Sequence, residues 1–128
     1  MNDPKHQVEC IIPVLRVVDL QRSVRCYTGV LGFVLDWGGK EGTKICSVSR
    51  DGCCIMLSEG DMGSPGTWVW IGLEDESLFE FLRGRSEDVR IIQEPKNRPW
   101  AYEMKVEDPD GNVLWLGTEP RKDEPFDE

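Results

Sequence analysis

The chain has 128 residues, with 15 Lys and Arg against 24 Asp and Glu, a formal net charge of −9. A length of this order builds one domain with a real core, and no apolar run approaches the roughly 18 residues of a membrane span. The acidic balance repels a phosphate backbone, so neither nucleic acid nor a membrane is expected as a partner.

The first residues, Met1-Asn2-Asp3-Pro4-Lys5-His6-Gln7, form no apolar stretch of the secretory kind. There are 5 cysteines, an odd number with no C-x-x-C spacing. They are expected to be reduced, mostly buried thiols of a cytoplasmic protein. Cys53 and Cys54 are neighbours on one strand and should point to opposite faces, which argues against a redox pair. The single histidine, His6, falls in an N-terminal tail, residues 1–9. Histidine triads and two-histidine metal centres are therefore excluded within one chain.

In chain order, Ile11 to Val18 reads as a strand, with Pro13 suggesting an edge position or a strand start. Asp19 is a candidate N-cap, and Leu20, Val24, Tyr27 and Leu31 recur at helical spacing until Gly32. Strands follow at Phe33 to Trp37 and Thr43 to Ser49. A turn at Asp51-Gly52 then leads into Cys53 to Ser58. Residues 61–66 are rich in Gly, Ser and Pro and read as a hinge. The order then repeats: a strand at Thr67 to Leu73, a short helix at Ser77 to Arg83, a strand at Val89 to Gln93, a loop at Glu94 to Pro99, and strands at Ala101 to Glu107 and Val113 to Gly117. Residues 119–128, broken by Pro120 and Pro125, read as an acidic C-terminal tail. The two halves share D-G-x-x-[I/L]-x-L, once at Asp51-Gly52 and again at Asp110-Gly111, 110 − 51 = 59 residues on.

The expectation is an α+β fold of two tandem βαβββ modules, one at residues 10–60 and one at 67–118, together a single domain over 10–118. A module of about 60 residues buries too little surface to stand alone. The sheets should curl into a mixed sheet, with helices on the outer face and a concave crevice on the other. Alternation of side chains assigns the faces. Val69, Ile71 and Leu73 oppose Trp68 and Trp70. Leu114 and Leu116 oppose Val113, Trp115 and Gly117. Ile55 and Leu57 oppose Cys54 and Met56. The aliphatic side is the core. The tryptophan side is either a dry core between sheets, a dimer interface, or a platform for a planar or cationic guest. The polar groups at its rim or floor are Asp36, Glu59, Glu103 and Lys105, with Glu103 the best candidate for a guest contact. Tyr27 sits at a helical core position. The acidic turn from Asp108 to Gly111 reads as a hairpin rather than a calcium loop.

Several segments resemble the vicinal oxygen chelate superfamily of glyoxalases, extradiol dioxygenases and bleomycin resistance proteins. They are Pro13-Val14-Leu15-Arg16-Val17-Val18-Asp19-Leu20 with Ser23-Val24 and Tyr27, then Val30-Leu31-Gly32-Phe33, Asp51-Gly52, and Asp108-Pro109-Asp110-Gly111-Asn112. Trp68-Val69-Trp70-Ile71 and Pro99-Trp100-Ala101-Tyr102-Glu103-Met104 resemble the bleomycin-resistance branch, which often has Pro-Trp-Gly where this chain has Pro99-Trp100-Ala101. The resemblance places the metal-ligand positions of the superfamily's enzymes on Ile12, Met56, Trp70 and Trp115, none of which offers a hard oxygen or imidazole. It implies no metal and no cofactor. The implied activity is sequestration of a bleomycin-like drug or a metabolite in a homodimer, sometimes with strand exchange, and hence antibiotic resistance without catalysis. It also places Asp36, Trp37, Trp68 and Trp100 at the crevice. The site expected from all this comprises Asp36, Trp37, Met56, Trp68, Trp70, Trp100, Glu103 and Trp115. The competing readings are a metal-independent isomerase or lyase using crevice carboxylates, and an interaction module whose tryptophan face is buried by a partner.

Overall fold

The computed structural model describes residues 7–84 and 89–128. His6 and most of the expected N-terminal tail therefore lie outside the described residues. The elements are β1 (Val14–Arg16), α1 (Leu20–Gly29), β2 (Val34–Gly38), β3 (Ile45–Arg50), β4 (Cys53–Ser58), β5 (Trp68–Gly72), α2 (Ser77–Arg83), β6 (Arg90–Asn97), β7 (Tyr102–Glu107) and β8 (Val113–Thr118). They form two four-stranded sheets of one topology, β1-β4-β3-β2 and β5-β8-β7-β6. In each, the first strand runs parallel to the last and the other pairings are antiparallel. The tandem βαβββ repeat expected from the letters is thus the fold.

Local chemistry accounts for the boundaries. Pro13 has no N–H to donate, so β1 is an edge strand that begins one residue later. The Pro13 carbonyl still accepts from the Met56 N–H at 2.9 Å. Asp19 caps α1, its carboxylate accepting the Arg22 N–H at 3.1 Å, and Glu59 takes the Leu20 N–H at 2.8 Å. Gly32 follows the helix at φ +77°, a conformation open to glycine at little cost. β6 continues to Asn97, through the stretch expected to be a loop. It is the other sheet's edge, where Pro95 and two register shifts are tolerated.

The aliphatic faces merge into one core. Leu15, Val17, Val48, Ile55 and Leu57 join Leu20, Cys26 and Tyr27 of α1, while Met104, Val106, Leu114 and Leu116 join Phe79 and Leu82 of α2. Two of the five cysteines, Cys26 and Cys46, are buried, whereas Cys10 and Cys53 are exposed. The expectation of mostly buried thiols fails because Cys53 opens a hairpin strand and Cys10 precedes β1.

The turn after β7 locks the two modules together. Asp110 accepts from the Val18 N–H at 2.7 Å, the Arg22 guanidinium at 3.0 Å and the Ser23 hydroxyl at 3.0 Å. The Tyr27 hydroxyl donates to Asp108 at 2.8 Å, and Asn112 reaches the Arg16 carbonyl at 3.1 Å. Burial, with Asp108 beside it, pushes the Tyr27 phenol well above its usual range. Asp51, the repeat partner of Asp110, makes no such junction. Its side chain is 91% exposed against 2% for Asp110, and among the described residues its one ion pair is with Arg50, at 3.6 Å.

The acidic C-terminal stretch is docked rather than loose. The Asn97 side chain donates to the carbonyls of Arg121, Glu124 and Pro125, and accepts from the Arg121 N–H at 2.8 Å. Arg121 in turn pairs with Glu76 and covers the Tyr102 ring at 3.9 Å.

Candidate functional site

The eight expected site residues fall into two groups, one on the helix-free face of each sheet. On the first sheet, a β-bulge separates Leu35 from Trp37 and sets Asp36 over β3. Its carboxylate accepts from the Ser49 hydroxyl at 2.7 Å and the Ser47 hydroxyl at 3.3 Å. Met56 pairs in register with Ser47 on one side and Val14 on the other. Trp37 is exposed. This face is therefore a carboxylate with two hydroxyls, flanked by one indole and one thioether.

The second sheet gathers the rest. Trp70 and Trp115 are register partners on β5 and β8, their rings edge-to-face with centroids 4.9 Å apart. Trp70 lies across Gly117, where a Cβ would come within 2.2 Å of the ring. Only glycine leaves room for the indole there. Beside them Lys105, the register partner of Trp115 on β7, sets its ammonium 5.6 Å from the Trp115 ring and 5.7 Å from the Trp68 ring. Trp68, Trp70 and Trp100 stay about half-exposed, so the platform is an open sheet face.

Glu103 organises this face from beneath. It was expected to touch a guest, but it is 1% exposed. One carboxylate oxygen accepts the indole N–H of Trp100 at 2.6 Å and that of Trp115 at 3.0 Å. The other accepts from the Gln93 amide at 3.0 Å, with the Lys105 ammonium at 3.6 Å. Burial alone would raise its pKa. The donors from Gln93, Trp100 and Trp115 and the charge of Lys105 outweigh that and hold it below the usual carboxylate range. Such a group is saturated by donors, and its part in the face is to orient the Trp100 and Trp115 rings. Sequence reasoning left Gln93, Ser47 and Ser49 out of the site, and weighed Lys105 without including it. Its spacing of two from Glu103 on one strand was the available signal. Glu59 is not at the site, since it is spent on the α1 N-terminus and on Lys44 at 2.9 Å, contacts that lower its pKa.

The pairing register also refines the metal-ligand comparison. Val14 pairs with Met56 as Trp70 pairs with Trp115. The structural counterpart of Trp70 is thus Val14, two residues beyond Ile12. Val14, Met56, Trp70 and Trp115 have no basic nitrogen or oxygen among their side chains, and the Trp115 N–H is a donor already used. Among the described residues, no group of three His, Cys, Asp or Glu could hold a metal ion. These positions do not fit the divalent metal of the superfamily's enzymes.

A cavity of about 610 Å³, with Trp70 among its lining residues, opens on the helix side of the sheets. Ile12, Leu31, Ile55, Ile71, Leu73 and Leu116 line it, between the open Asp51 turn and the start of α2. It is the unfilled counterpart of the junction that Asp108–Asn112 seals.

The family model of the glyoxalase/bleomycin resistance protein/dioxygenase superfamily matches residues 7–116. Among curated proteins none matches in sequence. Similar solved structures include TnmS3, an antibiotic binding protein from Streptomyces sp. CB03234, at 23% identity and a TM-score of 0.74 over 89% of this chain and 98% of that one. Another is the bleomycin-binding protein of bleomycin-producing Streptomyces verticillus, complexed with copper(II)-bleomycin, at 24% identity and 0.67 over 87% and 98%. A glyoxalase/bleomycin resistance protein from Streptomyces sp. CB03234 is 26% identical, with a TM-score of 0.67 over 83% and 96%. With the repeat, the sheet topology and the family match in agreement, this chain belongs to the glyoxalase/bleomycin resistance protein/dioxygenase superfamily.

Proposed function

We propose that the chain is a non-catalytic binding protein that sequesters a bleomycin-like antibiotic or a metabolite by stacking a planar ring system of the guest against its tryptophan face. The observation that carries this is the pre-set aromatic platform. A buried carboxylate fixes Trp100 and Trp115 by their indole N–H groups, and Gly117 seats Trp70 against Trp115. Rings held in place before a guest arrives lose little freedom on binding, which favours affinity. The binding of antibiotics by two of the similar structures supports the same reading. Catalysis by Glu103 finds no support in the geometry, because it is saturated by donors and its lowered pKa makes it a poor base.

The platform is open in a single chain, whereas small-molecule sites bury most of their guest. We therefore place the guest between the tryptophan face of one protomer and the Asp36–Trp37 face of a second copy, in a homodimer. Titration with bleomycin is expected to give saturable quenching of tryptophan fluorescence. Trp68→Ala is expected to abolish the quenching while sedimentation still reports a dimer. Retention of full quenching in Trp68→Ala overturns the assignment of the platform, and a monomer at micromolar concentration overturns the enclosing partner.

A further inference from the structure

We infer that the tryptophan face prefers a planar guest bearing an anionic oxygen, a carboxylate or a phenolate, with Lys105 as its receptor, over a cationic guest of the same ring system. The inference rests on the proposed platform and concerns the charge of what it takes. In general an aromatic floor in an acidic protein invites a cation, because ring faces attract positive charge. Here that place is taken. The Lys105 ammonium stands 5.7 Å from the Trp68 ring and 5.6 Å from the Trp115 ring. A second cation on either ring would meet it at short range in a partly dry environment, where like charges repel most strongly.

The pair Glu103–Lys105 is neutral in sum but not in what it shows. The carboxylate is 1% exposed, and its charge is spent on three N–H donors. The Lys105 side chain is 23% exposed, with its ammonium 3.6 Å from the carboxylate, beyond hydrogen-bonding distance. Its neighbours in register are Trp115 on one side and Gln93 on the other, neither of them charged. The next acid along the strand, Glu107, is engaged by Arg90 at 3.0 Å. The charge that reaches the open surface between the rings is therefore positive, although the chain as a whole carries −9. An ammonium with hydrogen-bonding capacity to spare, framed by indole faces, reads an oxygen anion conjugated to a flat ring. The ring stacks and the oxygen completes the ammonium's shell.

Three probes with one ring system test this. They are anthraquinone-2-carboxylate, the neutral 2-(hydroxymethyl)anthraquinone, and an anthraquinone carrying a 2-trimethylammoniomethyl group, each followed by tryptophan quenching at pH 7 in low salt. The carboxylate is expected to bind about tenfold or more tightly than the quaternary ammonium, the scale of one charged hydrogen bond. Lys105→Met keeps the alkyl stem over the rings and is expected to bring the two within about threefold, with the neutral probe little changed. Lys105→Arg is expected to retain the preference. Tighter binding of the ammonium probe by the native chain, or an unchanged preference in Lys105→Met, overturns the anion assignment and leaves the platform standing. The ranking in the native chain decides the matter even if a variant folds poorly. No quenching by any of the three probes overturns the platform, and the assignment with it.

Discussion

Glu103→Gln is the sharpest perturbation of the tryptophan face, because it changes one atom and leaves the volume almost unaltered. The oxygen that accepts from Trp100 and Trp115 can remain an oxygen. The other becomes an NH2 facing the Gln93 amide donor 3.0 Å away. The Gln93 amide can turn its oxygen to the new NH2, but the three bonds lose their charge assistance and Lys105 loses its counter-charge. Hydrogen bonds to charged groups contribute about 1.5–3 kcal/mol each, so a loss of about 2–3 kcal/mol is expected. For a domain of this length that corresponds to roughly 8–12 °C in Tm. Exchanging the partners, Gln93→Glu with Glu103→Gln, restores a charged acceptor within the pair and is expected to recover at least half of the loss. The native protein should also show an acid signature that the single variant lacks. Because the folded pKa of Glu103 is depressed, its contribution is fully present above the unfolded value of about 4.3 and is lost as pH falls through the lower folded value. Thermal melts by circular dichroism from pH 7 down to pH 3 measure both effects. A Tm change under about 2 °C for Glu103→Gln, or equal acid sensitivity in variant and native chain, would refute the argument that this carboxylate is the anchor of the face.

Gly117→Ala should drive the Trp70 ring from its seat, since the new methyl would sit 2.2 Å from it. With Trp70 free to swing toward solvent, the stability cost is expected at about 1–2 kcal/mol. The near-ultraviolet signal of the Trp70–Trp115 pair should collapse, a readout that an undisturbed ring would leave intact. Asp110→Ala strips the Val18 N–H, Arg22 and Ser23 of their acceptor and should cost about 2–4 kcal/mol in urea melts. The same change at its repeat partner Asp51, 91% exposed, should fall within about 0.5 kcal/mol. Equal effects at the two positions would show that the module junctions are equivalent. The Tyr27 phenol, raised by burial and by Asp108, should stay protonated in the folded chain above pH 10. Stability is then present below about pH 10, the unfolded value, and falls as pH rises beyond it. A phenolate absorbance step for Tyr27 at its ordinary pKa, with no accompanying unfolding, would contradict the buried contact.

The sheet faces and the repeat were legible in the letters because they depend on local periodicity. A strand's alternation separates Val69 and Ile71 from Trp68 and Trp70 wherever the strand lies. The motif D-G-x-x-[I/L]-x-L marks the same hairpin twice. What depends on distances between strands was not legible. The counterpart of Trp70 is Val14 rather than Ile12, because parallel pairing is set by hydrogen bonds between β1 and β4, which leave no trace in spacing along one strand. Asp51 and Asp110 open the same motif, D-G-x-x-[I/L]-x-L. One is solvated and the other holds the modules together, a difference decided by whether the turn meets a helix of the other module. Glu103 is the plainest case. On its own strand it reads as a polar residue on an open face, accessible to a guest. Only when Gln93, Trp100 and Trp115 arrive from other parts of the chain with their N–H groups does it become a buried, saturated anion. The exposed charge of the pair then belongs to Lys105. Periodicity decides which way a side chain points, and the fold decides what it finds there.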